Sequence, residues 1–404
     1  MRKTVLRTAR ITITAAVLIL AAANTATAAE YFLRADTTTK LMPDGASVTM
    51  WGFAQDSSFG AEDGTVTVPG PVLVVPVGDP NLTIHMDNNL SVPVSMVIHG
   101  LVTTMKPVKF TDGQGRQRVK SFTHETLAGN TDPCDYTWTG ITPGTYLYHS
   151  GTHVAVQVQM GLYGCMKKDF ASGQAYESVG YDSEVVLVFS EVDPALHVAV
   201  ATNNYGPALA MTSTIDYQPK YFLINGDAYP IGGAISAGQT GDDILLRFVN
   251  AGIETHAPIL NDFYMTVVAE DGWKLNWPKE QYSLILPAAK TKDVIITTDI
   301  AGQYPVYDRR LRLTNAGTSP GGMLAFLNIT AGGDAILGTQ GPAKADLDGD
   351  GDVDRDDLKM FRRAWRGGKH SNDNLLDVNS DGDVNSEDLN LMLSLVKGSS
   401  KSGK

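Results

Sequence analysis

This chain has little cysteine, no excess of basic residues and a single long apolar run. Two cysteines, Cys134 and Cys165, among 404 residues exclude a disulfide-dense scaffold and any centre built from several thiolates. Acidic side chains outnumber basic ones, 44 against 32, for a net charge of −12 that argues against a nucleic-acid partner. The apolar run ITITAAVLILAAAN, residues 11–24, follows the basic segment MRKTVLRTAR and precedes the small-residue string Ala26-Thr27-Ala28. It is too short to span a bilayer, so residues 1–29 read as a removable secretory signal, with the mature chain starting near Ala29 or Glu30. No other stretch approaches a transmembrane span. The expected location is outside the cell, in the periplasm or at the cell surface. There an oxidising environment would favour a disulfide between Cys134 and Cys165. Helical zincin, Walker and Rossmann motifs are also missing, and no catalytic residue can be assigned from the sequence.

Helical periodicity is scarce, whereas short apolar runs bounded by glycine and proline recur. VLVVPV (72–77), LTIHM (82–86), TYLYH (145–149), VAVQVQM (154–160), EVVLVF (184–189), ILLRFV (244–249) and DVIITT (293–298) all read as strands. Strands this short indicate β-sandwiches. A faint repeat makes two of them: GTYLYH at 144–149 matches GQYPVYD at 302–308, and each is followed by a glycine-led strand, GLYGCM at 161–166 and GGMLAF at 321–326. The expected fold is mainly β, with sandwiches over 30–195 and 196–331, a Gly/Ala-rich linker over 332–345 and a small α-helical module over 346–398.

The stretches PGPVLVVPVGDPNLTIHMDNNLSVPVSMVIHGL (69–101), PGTYLYHSGTHVAVQVQMGLYG (143–164), FLINGDAYP (222–230) and RFVNAGIETHAPIL (247–260) together resemble the multicopper oxidase and cupredoxin family. That resemblance implies two Greek-key cupredoxin-like sandwiches and raises the question of copper. The family's His-x-His-Gly motif reads Val97-Ile98-His99-Gly100 here, and its second His-x-His reads His149-Ser150-Gly151. One imidazole survives from each pair. A blue-copper site needs a thiolate between histidines, yet no His-Cys-His occurs. By resemblance to two-domain nitrite reductases, Ser150 stands in the cysteine's place and Gln157 near that of the downstream histidine. The residual copper candidates are His99 and His149, with His153 nearby and His256 as a ligand that oligomerisation would bring across a subunit boundary. Two functions follow: a non-catalytic or ligand-binding cupredoxin pair, or a copper-dependent oxidoreductase with a reduced, non-blue site. The sequence names no substrate or electron acceptor for either.

The last sixty residues carry a stronger signal. The loops DLDGDGDVDRDD (346–357) and DVNSDGDVNSED (377–388) repeat with glycine at position 6 and oxygen ligands at 1, 3, 5, 9 and 12, which suits a hard cation needing six to eight oxygens. Two calcium ions are expected. The first would bind Asp346, Asp348, Asp350, Asp354 and Asp357, the second Asp377, Asn379, Asp381, Asn385 and Asp388, with the backbone carbonyls of Asp352 and Asp383 at position 7. Aspartate at position 12 and an amphipathic run behind each loop resemble the type I dockerin. The resemblance implies docking onto a cohesin-type domain through Arg355, Asp356, Arg362 and Arg363 of the first copy, and through Ser386 and Glu387 of the second.

Overall fold

A computed structural model describes residues 29–332 and, towards the C-terminus, residues 345, 347, 353, 355–366, 376–378 and 384–399. The first sandwich begins with β1 (Ala29–Leu41), β2 (Ser47–Asp56), β3 (Leu73–Val75), β4 (Asn81–Asn88) and β5 (Val97–Ile98). A projecting hairpin, β6 (Val108–Thr111) and β7 (Gln117–Ser121), leads to β8 (Cys134–Thr139) and β9 (Gly144–His149). The short helix α1 (Val154–Met160) and β10 (Tyr163–Lys168) complete it. One sheet runs β2-β1-β4-β8 and the other β3-β10-β9-β5. Alternate residues of each strand point inward, so Leu82, Ile84 and Trp138 from one sheet meet Leu73, Tyr146 and Tyr148 from the other in one core.

A small ribbon, β11 (Gln174–Tyr176) and β12 (Val179–Gly180), precedes the second sandwich. That sandwich comprises β13 (Ser183–Val192), α2 (Pro194–Ala201), β14 (Tyr221–Ile224), β15 (Ala234–Gln239), β16 (Ile244–Asn250) and β17 (Pro258–Leu260), then β18 (Met265–Glu270), β19 (Trp273–Gln281), β20 (Thr291–Ile296), β21 (Gly302–Asp308) and β22 (Leu324–Thr330). Six strands, β14-β13-β16-β20-β18-β19, face four, β15-β22-β21-β17. All seven residues of β16 and all six of β20 are buried, because the outer face of the six-stranded sheet is itself covered. Leu147 and Cys165 of the first sandwich pack there against Val188, Val192 and Val249 of the second. Beside them Arg247, fully buried, pairs with Asp169 and Glu184, and Thr145 donates to Asp293 at 2.7 Å. The C-terminal helices α3 (Arg355–Arg366) and α4 (Ser386–Ser399) pack on each other through Leu358, Phe361, Leu389 and Met392. Among the described residues, no helix is long and apolar enough to cross a membrane.

Three expectations need correction. The second sandwich starts at Ser183 and not near 196, since β13 is a central strand of its six-stranded sheet, parallel to β16. VAVQVQM forms α1 and not a strand: Val156 through Met160 are buried on every side, so its apolar alternation does not mark a wet and a dry face. Finally, Cys134 and Cys165 are both free. Cys134 lies on β8 at the edge of one sheet and packs on the first core, whereas Cys165 on β10 belongs to the other sheet and to the cluster between the sandwiches. Burial pushes the Cys165 thiol up to about 12, which leaves it unreactive.

Candidate metal centre and C-terminal module

Strand pairing brings the two family-type histidines together. β5 runs antiparallel to β9 with Val97 opposite His149 and Ile98 opposite Tyr148, so His99, one step beyond β5, is a diagonal neighbour of His149. Their Nε2 atoms lie 2.7 Å apart. The Nδ1 of His149 is 2.7 Å from the Ser150 carbonyl, which can only accept, so that nitrogen carries the proton and Nε2 presents its lone pair. The hydrogen between the rings therefore comes from His99. Burial lowers the His149 pKa to about 4, more than the Ser150 carbonyl opposes, and His99 adds to the depression. His99 is also lowered by burial of its ring, with Asp271 of the second sandwich acting in the opposite direction. Both rings are neutral at physiological pH.

The other candidates do not join them. His153 takes a left-handed backbone, φ 41°, at the start of α1 and sets its ring edge-on to Tyr205 at 5.7 Å. His256 is fully buried in the second sandwich, with Nε2 3.0 Å from Glu191 and Nδ1 3.1 Å from Asp308. Both of its nitrogens are engaged, so it offers no lone pair to a metal across a subunit boundary. Its hydrogen bonds and charge attraction to the two carboxylates outweigh burial and raise its pKa to about 9, making it an internal imidazolium. Those partners lie 65 and 52 residues away in sequence, which is why the motif alone could not reveal them.

Around Ser150 the structure gathers hydroxyls. Ser150 donates to the Gln157 side-chain carbonyl at 2.5 Å, and Gln157 donates to the Pro93 carbonyl at 2.8 Å. Ser121 donates to Ser95 at 2.9 Å, and Thr152 lies 3.1 Å and 3.0 Å from their hydroxyls. Ser95, Ser121, Ser150, Thr152 and Gln157 are all buried. Ser95, Ser121 and Thr152 were not singled out in the sequence, because no spacing ties them to Ser150. These side chains thus satisfy one another, with no thiolate and no imidazole among them. Among the described residues, no group of three or more His, Cys, Asp or Glu side chains is placed to hold a metal ion. The residues present fit neither a blue-copper site nor a multinuclear cluster.

The string Gly317-Thr318-Ser319-Pro320-Gly321 has the form of a serine nucleophile elbow. It lies in the loop between β21 and β22, not on the strand-to-helix turn that chemistry needs. In the C-terminal module, Asp346, Asp348, Asp350, Asp352, Asp354, Asn379, Asp381 and Asp383 lie outside the described residues. The position-12 aspartates open the two helices, both fully buried: Asp357 accepts from the Leu347 amide at 2.6 Å and Asp388 from the Asn385 amide at 2.9 Å. Arg355, Asp356, Arg363 and Glu387 are exposed and Ser386 is half-buried, while Arg362 is buried.

Two β-sandwiches of this topology, with histidines meeting at the end of a central strand, define a cupredoxin-like pair. Residues 62–167 match the multicopper oxidase family model and residues 344–396 the dockerin type I model. The chain thus joins a multicopper-oxidase-type domain to a type I dockerin domain. Among solved structures it is similar to a blue copper oxidase from Nitrosomonas europaea (19% identity, TM-score 0.58, 75% of this chain and 86% of that one). It also resembles the multicopper oxidase mgLAC (20%, 0.59, 85% and 96%) and a copper nitrite reductase from Nitrosomonas europaea (20%, 0.52, 77% and 96%). At this identity the likeness concerns fold. No curated protein matches the chain.

Proposed function

We propose that this is a secreted, non-catalytic or ligand-binding cupredoxin pair with degenerate copper sites, carried to a cohesin-type partner by its calcium-dependent dockerin. The observation that carries the reading is the Ser95, Ser121, Ser150, Thr152 and Gln157 network, because those side chains satisfy one another where an electron-accepting copper would need sulfur and nitrogen. Dockerin membership supports two bound calcium ions, held by the ligands named above, and binding to a cohesin. Secretion rests on residues 1–29.

A second reading keeps a single non-blue copper. It is favoured by one observation, the convergence of two neutral imidazoles with the His149 tautomer already set to offer Nε2. Two ligands are too few alone, so that reading needs a donor from outside the chain, such as a second copy. Metal analysis after copper reconstitution and desalting separates the two. The first reading expects no retained copper. One copper per chain, lost on His149→Ala, would favour the second.

A further inference from the structure

Arg362 was expected to face a partner molecule, yet it is only 4% exposed. What covers it is the chain itself. Its Nη1 lies 3.0 Å from the Asp182 carboxylate, just before β13. Around that ion pair the fit is close. A Cβ on Gly180 of β12 would fall 2.7 Å from the Arg362 Nε, so the absence of a side chain at 180 admits the guanidinium. Ser178 and Gly180 line a crevice together with Arg362, Trp365 and Leu389, which places both dockerin helices on the ribbon. Gln174 of β11 donates to Asn390 of α4 at 3.2 Å. Polar, ionic and apolar contacts from both helices thus converge on residues 174–182.

We infer that the β11–β12 ribbon and Asp182 form a seat, within the chain, for the first-copy dockerin helix, occupying Arg362 and leaving the second-copy face, Ser386 and Glu387, as the surface for an external partner. The seat stands on the contacts alone; only its consequence for an external partner rests on the cohesin reading above. The physical asymmetry is clear. Burying the Arg362 charge against Asp182 removes it from any second protein unless the seat opens, whereas Glu387 remains exposed. A partner that needs Arg362 must compete with the sandwich, whereas one that reads Glu387 meets a side chain already exposed.

Amide hydrogen exchange on the calcium-loaded full chain tests the seat without any partner. Arg362→Ala should raise exchange over residues 174–182 by about tenfold or more, with α3, α4 and β16 still protected. Gly180→Leu, made on the sandwich side, should do the same by displacing the guanidinium. Unchanged exchange over 174–182 in both variants would overturn the proposal. Titration with an isolated type I cohesin domain then reads the consequence. Glu387→Arg should weaken binding and Arg362→Ala should not; a cohesin lost on Arg362→Ala but retained on Glu387→Arg would overturn the assignment of the free face. If no cohesin binds while exchange rises as expected, the seat stands and the cohesin reading fails.

Discussion

His256 shows how an isolated residue type can mislead. By resemblance it is a candidate ligand that oligomerisation would bring across a subunit boundary, but in the fold it is a cation locked between Glu191 and Asp308. Removing the imidazole leaves two buried carboxylates facing each other, so His256→Ala should destabilise the second sandwich by about 3–5 kcal/mol in denaturant unfolding. The pH dependence has a definite sign. The folded pKa is raised to about 9 from an ordinary 6.5, so the stabilisation is full below about 6.5 and is lost as pH rises through 9. Unfolding midpoints measured from pH 6 to 10 should therefore fall at the alkaline end in the parent and less steeply in His256→Gln. The cysteines make a second residue-scale case. Thiol titration of the unreduced protein should count two free thiols when denatured, with Cys165 silent when folded; a disulfide would count none.

At the scale of elements, most strands could be read from alternation, since VLVVPV, LTIHM, TYLYH, EVVLVF, ILLRFV and DVIITT all overlap observed strands. The pairing of His99 with His149 was legible through the family resemblance. What escaped had a common physical cause. Alternation identifies a strand only when one face is wet, and α1 is enclosed between Trp51, the Ser150 network and the second sandwich. Its end is fixed by Gly161, at φ +121°, where a Cβ would lie 2.2 Å from the Trp51 carbonyl oxygen. Gly161→Ala should accordingly lower the unfolding free energy by more than about 1 kcal/mol in denaturant titration, while Gly233→Ala, in open space, should not. The acidic twelve-residue repeat was legible from spacing alone, and it falls within the segment that matches the dockerin type I model. Asp388→Ala should halve bound calcium to about one ion per chain and leave the sandwich transition in place, as calorimetry with calcium analysis would show.

The whole molecule is organised by what lies between its parts. The cluster of Leu147 and Cys165 with Val188 and Val249, with Arg247 set among Asp169, Glu184 and Asp293, joins the two sandwiches through one buried interface. None of this was visible in the sequence, because β13 and β16 read simply as apolar runs and Arg247 as a charge within one. The same interface places the Asp271 turn beside His99, and the C-terminal module brings Arg362 to Asp182. In the function proposed above, a hydrogen-bonded polar network of Ser95, Ser121, Ser150, Thr152 and Gln157 stands where a copper-binding relative would need sulfur and nitrogen ligands. The most direct test is copper titration of the whole 404-residue chain, followed by desalting, metal analysis and visible absorption. The expected result is no blue thiolate-to-copper band and no retained copper. An intense blue band, or several tightly held copper ions per chain, would contradict it.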